Sequence, residues 1–382
     1  MASLRILQFG TSRFLQAHID LFAHQANVAG DAQIEITVVK GSPDPARTHR
    51  VAALAAPDGY PVRLRGIEAG QVLDETIRVT SVTGALALPG DWEVLCRAFV
   101  QRTDLIVSNT GDAGYIEAQG DCAALADPNG CPQGFPARLA ALLHRRWRET
   151  GRGLAIFPCE LVSANGDVLR AVLDDLAARA GLPRAFRDWM RAEVRFANSL
   201  VDRIVSEPIE PAGAVAEPYA LWAIEGDRPE DAPFRHPAIM VVPALEPLER
   251  LKLHVLNLSH TVLADRWLAR ADAGLVVRRA LEDPDWREML MHILETEVLP
   301  GFAAMGMADE AARFMAVTLE RFANPFLEHR LADIAQNHAV KVERRIAGFL
   351  AWTAPANLDM PLLRAICDRR HCEPNPGQGG VP

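Results

Sequence analysis

The stretch that decides the fold is LRILQFGTSRFL, residues 4–15. Its first six residues are mostly apolar, as in a short buried strand, and a glycine follows at position 10. A helical pattern then covers 17–26, and a second run rich in β-branched residues covers 34–39. A strand, a glycine turn, a helix and a strand within about 35 residues are typical of the βαβ unit that binds dinucleotides.

The turn after the first strand is the predicted contact surface for a dinucleotide. Gly10 would let the backbone approach a pyrophosphate at a helix N-terminus. The usual fingerprint is incomplete, because Ser12 replaces its second glycine and no acid ends the second strand. Lys40 or Ser42 lies there instead, and a lysine would tolerate a 2′-phosphate, so NAD and NADP both stay open. The predicted cofactor-binding residues are Gly10, Thr11, Ser12, Arg13, Phe14, Lys40, Ser108, Asn109 and Thr110.

Further strands and helices alternate along the chain. Residues 105–111 and 153–161 are predicted strands, and 136–149 and 168–180 are predicted helices, with a last strand at 239–242. This alternation predicts an α/β fold with a Rossmann-type, doubly wound and mainly parallel sheet. Such sheets bind ligands at the carboxyl ends of their strands.

Helical periodicity replaces the strand pattern after Glu246. The predicted helices are 251–270, 275–281, 286–298, 303–314, 316–322, 325–351 and 361–367. We therefore predict a NAD(P)-binding Rossmann-like domain at 1–245 and an all-helical C-terminal domain for substrate and catalysis at 246–372. The tail at 373–382 is rich in proline and glycine and is predicted to be disordered.

Composition limits the classes of function. The 382 residues are 49% apolar and 23% charged, as in an ordinary globular protein with ample core. A formal net charge of −9, with no tract rich in lysine and arginine, argues against a nucleic-acid partner.

Segment lengths and cysteines bear on location and metal binding. No apolar run approaches the ~20 residues that span a bilayer, and the N-terminus enters a strand at once, leaving no room for a signal peptide. Six scattered cysteines form no disulfide framework, so the cytoplasm is the expected location. Cys367, His371 and Cys372 match no zinc-binding spacing, and no metal site is predicted.

A second stretch, ERLKLHVLNLSH at 249–260, carries candidate chemistry. At roughly 100° per residue on a helix, four polar side chains share an arc of about 140°, opposite leucine and valine side chains. They are Glu249, Lys252, Asn257 and His260. Spacing alone leaves two interpretations open. In the first, these groups form a catalytic helix. In the second, Lys252 extends into solvent, while the Asn257 amide and the His260 imidazole are buried with all their hydrogen bonds made.

A straight helix also sets the reach of this group. Lys252 and His260 would lie about 12 Å apart along the axis and could not touch, although a small substrate over Asn257 could be reached from both. The helix opens the second domain against the first, and clefts between domains are favoured ligand sites.

The sequence resembles the polyol-specific long-chain dehydrogenases, also called the mannitol dehydrogenase family, from about residue 5 to 350. Within that family it is most similar to the tagaturonate reductase (altronate oxidoreductase) branch. Six ordered motifs carry the resemblance: QFGTSRFLQAH (8–18), VSNTGDAG (107–114), FPCELVSANG (157–166), NSLVDRIV (198–205), the Lys252/Asn257/His260 block, and RFANPFLEH (321–329).

The resemblance implies metal-independent hydride transfer between a nicotinamide and a sugar acid or polyol. It implies that Lys252 is the general acid and base, and that Asn257 and His260 orient and polarise the substrate oxygen. Glu249 would then pass protons.

Departures from the family pattern bear on the substrate and the cofactor loop. Glu160-Leu161 stands where mannitol dehydrogenases usually have Asp-Asn, so a second asparagine is either missing or supplied by Asn165. A histidine at 329 replaces an acid, which suits an anionic substrate such as a keto-uronate. Gln16 replaces an arginine in the cofactor loop. The predicted substrate-binding residues are Glu160, Asn165, Asp202, Arg321 and His329.

Several alternatives stay open at this point. Arg321 could bind the substrate carboxylate or form a structural pair, and Asp202 could contact hydroxyls or pair with Arg203. The main hypothesis is D-tagaturonate/D-altronate oxidoreduction. A fructuronate reductase (D-mannonate oxidoreductase), a mannitol-type polyol dehydrogenase and an inactive nucleotide-binding sensor are the alternatives. The expected partner is a small sugar acid or polyol, with no nucleic acid or membrane, and the protein is expected to be a monomer or a dimer.

Overall fold

The computed structural model describes residues 3–42, 46–111, 115–127, 130–270 and 274–371, without the side chains of 46–48 and 370–371. The chain divides into two compact units. The first contains 1–65 and 74–245, and the second contains 66–73 and 246–382. Some predictions lie outside the described residues: the tail at 373–382, Cys372, the His371 side chain and motif residues 112–114.

The strands are β1 (Leu4–Phe9), β2 (Ile34–Lys40), β3 (Tyr60–Glu68), β4 (Gln71–Val79), β5 (Val82–Ala87), β6 (Leu105–Ser108), β7 (Leu154–Pro158), β8 (Val194–Phe196), β9 (Ser199–Asp202), β10 (Val205–Pro208), β11 (Ala214–Ala216), β12 (Leu221–Glu225) and β13 (Ile239–Val242). The helices before residue 246 are α1 (Arg13–Gln16), α2 (Ile19–Ala29), α3 (Ala46–Leu54), α4 (Trp92–Arg102), α5 (Asp121–Ala126), α6 (Phe135–Glu149), α7 (Asn165–Arg179) and α8 (Arg184–Glu193).

The main sheet of the first unit has six strands in the order β5-β2-β1-β6-β7-β8, and every neighbouring pair is parallel. Strands of this kind are buried on both faces, and Ile36, Val38 and Ile106 are 0% exposed. The strand order reverses between β1 and β6. Their carboxyl ends therefore border the crevice in which such sheets bind ligands, and the Rossmann-type fold predicted from the sequence is confirmed.

Two smaller sheets, β10-β11-β3-β4 and β13-β12-β9, complete the strand pairing. Except for β13, these strands are not predicted by the sequence. β3 alternates regularly between buried and half-buried residues, so a search for a period of two would have found it. β4 is mostly exposed and carries no such signal.

Apart from the strand ends at 66–73, the second unit is helical, as predicted. Its helices are α9 (Glu246–Leu251), α10 (Leu258–Arg270), α11 (Val277–Glu282), α12 (Pro284–Ile293), α13 (Leu299–Ala304), α14 (Ala308–Phe322), α15 (Leu331–Ile334), α16 (His338–Val342), α17 (Gly348–Thr353) and α18 (Pro361–His371). Three π-helical segments join neighbouring helices, at Lys252–Asn257, Leu294–Val298 and Glu343–Ala347. Within the described part of the chain, no helix is both long and apolar enough to cross a membrane.

Three helix boundaries differ from the prediction. The predicted helix at 17–26 begins at Ile19 as α2, because the backbone leaves helical geometry at His18, and the short helix α1 precedes it. The predicted helices 303–314 and 316–322 are largely one helix, α14. The predicted helix at 325–351 begins late. Proline disfavours helical geometry in the residue before it, and the Asn324 side chain accepts the Phe326 N–H in a turn.

A buried carboxyl in the first unit makes the stability of the fold depend on pH. Asp20, on α2, is fully buried and accepts the Tyr60 hydroxyl at 2.6 Å. Burial raises the pKa of Asp20 from 3.8 to about 7, against the opposing effect of hydrogen bonds from Tyr60 and Gln8. The folded state therefore holds this proton more tightly than the unfolded chain does. Stability contributed by this group falls as the pH rises from 3.8 to about 7 and stays low above it.

The substitution Asp20→Asn removes this charge and keeps an oxygen for the Tyr60 hydroxyl. We expect the variant to exceed the parent protein in free energy of unfolding at pH 8, by as much as about 4 kcal/mol, and to lose the advantage near pH 4. Urea unfolding at both pH values measures the difference. An unchanged pH dependence of stability would show that Asp20 is not the responsible group.

Candidate active site

A cavity of about 450 Å³ opens in the first unit at the carboxyl ends of β1, β2 and β6. Six of the nine predicted cofactor residues line it: Gly10, Thr11, Ser12, Lys40, Asn109 and Thr110. Three do not, namely Arg13, Phe14 and Ser108. The cavity lies at the strand-order reversal of the sheet, where this fold binds nucleotides.

The conformation of Gly10 explains why this position excludes a side chain. Its φ is +123°, and a Cβ placed here would lie 2.4 Å from the carbonyl oxygen of Asn109. Its N–H donates to the Val39 carbonyl at 3.2 Å. The loops after β1 and β6 therefore meet backbone to backbone, and this leaves room for a dinucleotide to approach the main chain closely.

The substitution Gly10→Ala is expected to weaken dinucleotide binding at least ~10-fold, because the new methyl group must push the loops apart from a strained backbone. Fluorescence titration with NADH measures the affinity. Gly30→Ala is the matched control, since Gly30 also has a positive φ but has nothing within 4 Å of the added Cβ. Equal affinities in the two variants would contradict the role given to Gly10.

Ser12 occupies the place of the missing second glycine and ties the two loops together. Its hydroxyl accepts the Leu15 N–H at 3.2 Å, which caps α1, and donates to Asn109 Oδ1 at 3.1 Å. The Asn109 amide in turn donates to the Cys159 carbonyl at 2.7 Å. Ser12, which replaces the second glycine of the usual fingerprint, thus connects the carboxyl ends of β1, β6 and β7 through these hydrogen bonds.

Arg13 and Phe14 point to other parts of the first unit. The Arg13 guanidinium pairs with Glu210 at 2.6 Å and donates to the Gly213 carbonyl at 2.9 Å. Phe14 stacks on His18, with ring centroids 4.7 Å apart. Gln16, which replaces the family's arginine, is buried and accepts the Gly213 N–H at 2.7 Å. Arg13 and Gln16 anchor the cofactor loop to the turn between β10 and β11.

Two arginines that the sequence analysis missed also line the cavity, Arg50 and Arg138. Arg138 lies on α6 and donates to the carbonyls of Pro132 (2.7 Å) and Gly41 (3.0 Å). A Cβ on Gly41 would come within 2.6 Å of this guanidinium. Nothing in the basic amphipathic pattern of α6 distinguishes this arginine from those on the helix surface.

Glu160, a predicted substrate residue, lies just beyond β7 and is 3% exposed. It accepts hydrogen bonds from Ser108 Oγ (3.0 Å), the N–H and hydroxyl of Thr110 (3.0 and 3.1 Å) and the Tyr115 hydroxyl (3.1 Å). Burial, together with this carboxylate, raises the pKa of Tyr115. The contacts support a role for Glu160 in holding the loop after β6.

Asn165, the second predicted substrate residue from this region, requires a correction. It is 0% exposed, and its amide donates to the carbonyls of Pro158, Glu160 and Ser199 and accepts the Ser199 N–H. A side chain with all its hydrogen bonds made to backbone cannot also bind a substrate oxygen.

Asp202 and Arg203 are both 8% exposed, at the end of β9. Arg203 donates to the carbonyls of Glu217 and Pro218, at 3.0 and 2.8 Å, and to that of Ala17. These contacts give Arg203 a structural role, and the contact of Asp202 with substrate stays a prediction.

The predicted catalytic helix of the second unit contains a π-helical segment from Lys252 to Asn257. The N–H of Leu258 donates to the carbonyl of Leu253, five residues earlier. Each residue of a π-helical turn advances around the axis by less than the 100° of an α-helix, so the angle between Lys252 and Asn257 is smaller than the ~140° of a regular helix. The spacing of 100° per residue expected from the sequence was therefore wrong in this segment.

His260 follows on α10 and is 6% exposed. Its ring lies 4.5 Å from Phe322 and 4.8 Å from His329, measured between centroids. Burial first, and then the positive charges around it, lower the pKa of His260 well below its usual value. The neighbouring charges belong to His329, Arg345, Arg321 and Lys341. A neutral imidazole can donate one hydrogen bond to a substrate oxygen at neutral pH.

The other predicted groups of the second unit have different environments. Glu249 and Lys252 are half-buried on the same helix, and Arg321 is 5% exposed in the last turn of α14. Among the described residues, no group of three or more His, Cys, Asp and Glu side chains could hold a metal ion.

Comparison with known families accounts for both units. The model for the mannitol dehydrogenase Rossmann domain matches residues 4–234, and that for the mannitol dehydrogenase C-terminal domain matches 244–367. The chain therefore belongs to the mannitol dehydrogenase family, whose members are oxidoreductases acting on CH–OH groups.

Two named relatives and two solved structures are similar to this chain over most of its length. An altronate oxidoreductase of Halalkalibacterium halodurans is 34% identical over 90% of this chain and 69% of its own length, and one of Bacillus subtilis is 30% identical over 89% and 73%. Two solved structures share the fold. A substrate-free D-sorbitol dehydrogenase has a TM-score of 0.78 at 19% identity, covering 96% of this chain and 82% of its own. Pseudomonas fluorescens mannitol 2-dehydrogenase, in a ternary complex with NAD and D-mannitol, has a TM-score of 0.73 at 17% identity, covering 97% and 79%.

Proposed function

We propose that the protein is an NAD-dependent dehydrogenase that interconverts the keto-uronate D-tagaturonate and D-altronate, with Lys252 as general acid and base. The name shared by the similar relatives supports the substrate, and the NAD complex of a structural neighbour supports the coenzyme. The observation that supports the mechanism is the π-helical segment, which begins at the Lys252 amine, ends at the Asn257 amide and is followed three residues later by the buried His260 imidazole.

The composition of the chain also favours a lysine in this role. Of its 40 lysine and arginine residues, three are lysines: Lys40, Lys252 and Lys341. Lys40 lines the cavity of the first unit, and Lys341 is one of the charges around His260. Arginine stays protonated under working conditions, whereas an ammonium group can release and recover a proton. A lysine at position 252 is therefore suited to proton exchange, which an arginine at that position could not perform.

The cavity of the first unit fits a dinucleotide. The backbone at Gly10 and Thr11 and the hydroxyl of Ser12 would hold the phosphates, and Lys40 would lie near a ribose. When bound, the nicotinamide supplies or accepts the hydride.

In the direction of reduction, the Lys252 ammonium donates a proton to the ketone oxygen as negative charge grows there. The Asn257 amide and the neutral His260 ring donate hydrogen bonds to the same oxygen and stabilise that charge. In the direction of oxidation, Lys252 as a free amine takes the hydroxyl proton, and Glu249 passes it on toward solvent.

A carboxylate on the substrate agrees with the charges around His260. Arg321 is the proposed anchor, because guanidinium can bind a carboxylate at two points, and His329 adds a polar neighbour. The surrounding positive potential favours an anion over a neutral polyol.

An activity screen tests this function. Absorbance of reduced nicotinamide is followed with D-tagaturonate, D-fructuronate, D-fructose and D-sorbitol, using both coenzymes. We expect the highest kcat/KM with D-tagaturonate and a large loss when a hydroxymethyl group replaces the carboxylate. A higher kcat/KM for a neutral sugar would overturn the substrate assignment. Tight NADH binding without turnover of any substrate would favour a sensor.

A further inference from the structure

Arg345 contacts the catalytic helix in a way that no family feature described above assigns. Its Nη1 donates to the Asn257 carbonyl at 3.3 Å and contacts the Thr261 hydroxyl at 3.1 Å. The Thr261 hydroxyl also donates to the Asn257 carbonyl at 2.9 Å. Guanidinium, hydroxyl and carbonyl thus form a closed triangle at the residue where the π-helical segment ends.

The main chain of Arg345 makes a second contact with the same segment. Its carbonyl lies 2.9 Å from Nδ1 of His254, a buried residue in the middle of the segment. A carbonyl can only accept, so His254 carries its proton on Nδ1. Arg345 itself lies within Glu343–Ala347, another π-helical segment. The two π-helical segments are therefore joined through Arg345, whose carbonyl contacts His254 and whose guanidinium contacts Asn257.

The guanidinium of Arg345 is half-buried and donates to a carbonyl and a hydroxyl of the catalytic helix. Burial and the neighbouring Arg344 lower the pKa of its guanidinium. Holding a half-buried cation in this place is costly, and the contacts it gains are those with the catalytic helix. Its charge also acts on His260.

We propose that Arg345 is a positioning residue that fixes the π-helical turn of the catalytic helix, and so holds Asn257 beside Lys252. π-Helical turns are rare and often mark functional sites, and this one persists through bonds from outside the helix. The expected effect on kcat rests on the proposed function. The expected effects on amide exchange and on the titration of His260 rest on the structure alone.

Three variants test the inference. Arg345→Met removes donor and charge, Arg345→Lys keeps the charge with a shorter reach, and Arg344→Met is the matched control at an exposed neighbour. For Arg345→Met we expect kcat for D-tagaturonate to fall at least ~10-fold, since small displacements of a catalytic group are costly, with unchanged NADH affinity. We expect the control to stay within about twofold of the parent and Arg345→Lys to recover part of kcat.

Two readouts do not depend on turnover. Hydrogen exchange of the amides at 252–261 should be faster in Arg345→Met than in the control. In NMR of histidine-labelled protein, the pKa of His260 should rise in Arg345→Met, because one of the positive charges that lower it is gone. Of the charges facing His260, those of His329, Arg321 and Lys341 remain. Arg345→Lys should restore most of the original pKa.

The outcomes separate the inference from the proposed function. Unchanged exchange and an unchanged His260 titration in folded Arg345→Met would overturn the inference, whatever the activity. A rise in KM limited to carboxylate substrates, with kcat intact, would also overturn it, because Arg345 would then bind substrate directly. Faster exchange and a raised pKa in a protein without turnover would support the inference and overturn the proposed function.

Discussion

Replacing Lys252 with alanine is expected to reduce kcat at least ~100-fold while the protein folds and binds NADH like the parent. The side chain is the proton donor in reduction and the proton acceptor in oxidation, and it lies half-buried at the start of the π-helical segment. The measurements are kcat from nicotinamide absorbance, NADH affinity from fluorescence, and thermal unfolding to exclude a folding defect.

A second substitution separates proton transfer from simple charge. Lys252→Arg keeps the positive charge, but a guanidinium does not release its proton near neutral pH, so we expect it to be about as inactive as the alanine variant. Turnover of the arginine variant within ~10-fold of the parent would mean that Lys252 acts by its charge alone. Near-parental turnover of the alanine variant would refute any catalytic role.

The part of the fold that sequence predicts best is the part with the strongest local pattern. Strands β1, β2, β6 and β7 were all predicted, because a strand buried on both faces is a continuous apolar run. Strands such as β8 and β11 have three residues each, and their existence depends on pairing with distant segments. No local pattern in three residues distinguishes a strand from a loop.

Some residues of the candidate sites were likewise predictable from the local sequence, and others were not. Gly10 and Asn109 were predicted as cofactor residues because they follow apolar strands, and the cavity lies between them. Arg138 reaches the same cavity from α6, and its sequence neighbourhood carries no sign of this. Arg13 lies in the predicted loop but turns toward Glu210, a partner almost 200 residues away in sequence.

The π-helical segment is the most consequential feature that sequence did not predict. A repeat of 3.6 residues was the natural assumption for ERLKLHVLNLSH, and it places Lys252 and Asn257 at the two ends of the ~140° polar arc. The π-helical turn depends on hydrogen bonds that join Arg345 to His254 and to Asn257. These are tertiary contacts. The catalytic group was identifiable from residue types, but its geometry was not.

Asn257→Asp is expected to lower kcat by ~10²–10³, the usual consequence of losing one hydrogen-bond donor to a developing oxyanion. The change is nearly isosteric, but it replaces an amide donor with a carboxylate that repels negative charge on the substrate oxygen. The carboxylate would also lie one π-helical turn from the Lys252 ammonium and attract it away from the substrate.

The matched control for this variant is Asn337→Asp, an exposed asparagine of the same unit that lies at the start of α16. It should change kcat by less than about twofold, as expected for a surface substitution. Steady-state kinetics with D-tagaturonate and NADH give kcat and KM for each protein. If Asn257→Asp keeps its turnover within ~10-fold of the parent, the Asn257 amide does not donate a hydrogen bond to the reacting oxygen. The π-helical spacing of Lys252 and Asn257 would then have no role in catalysis.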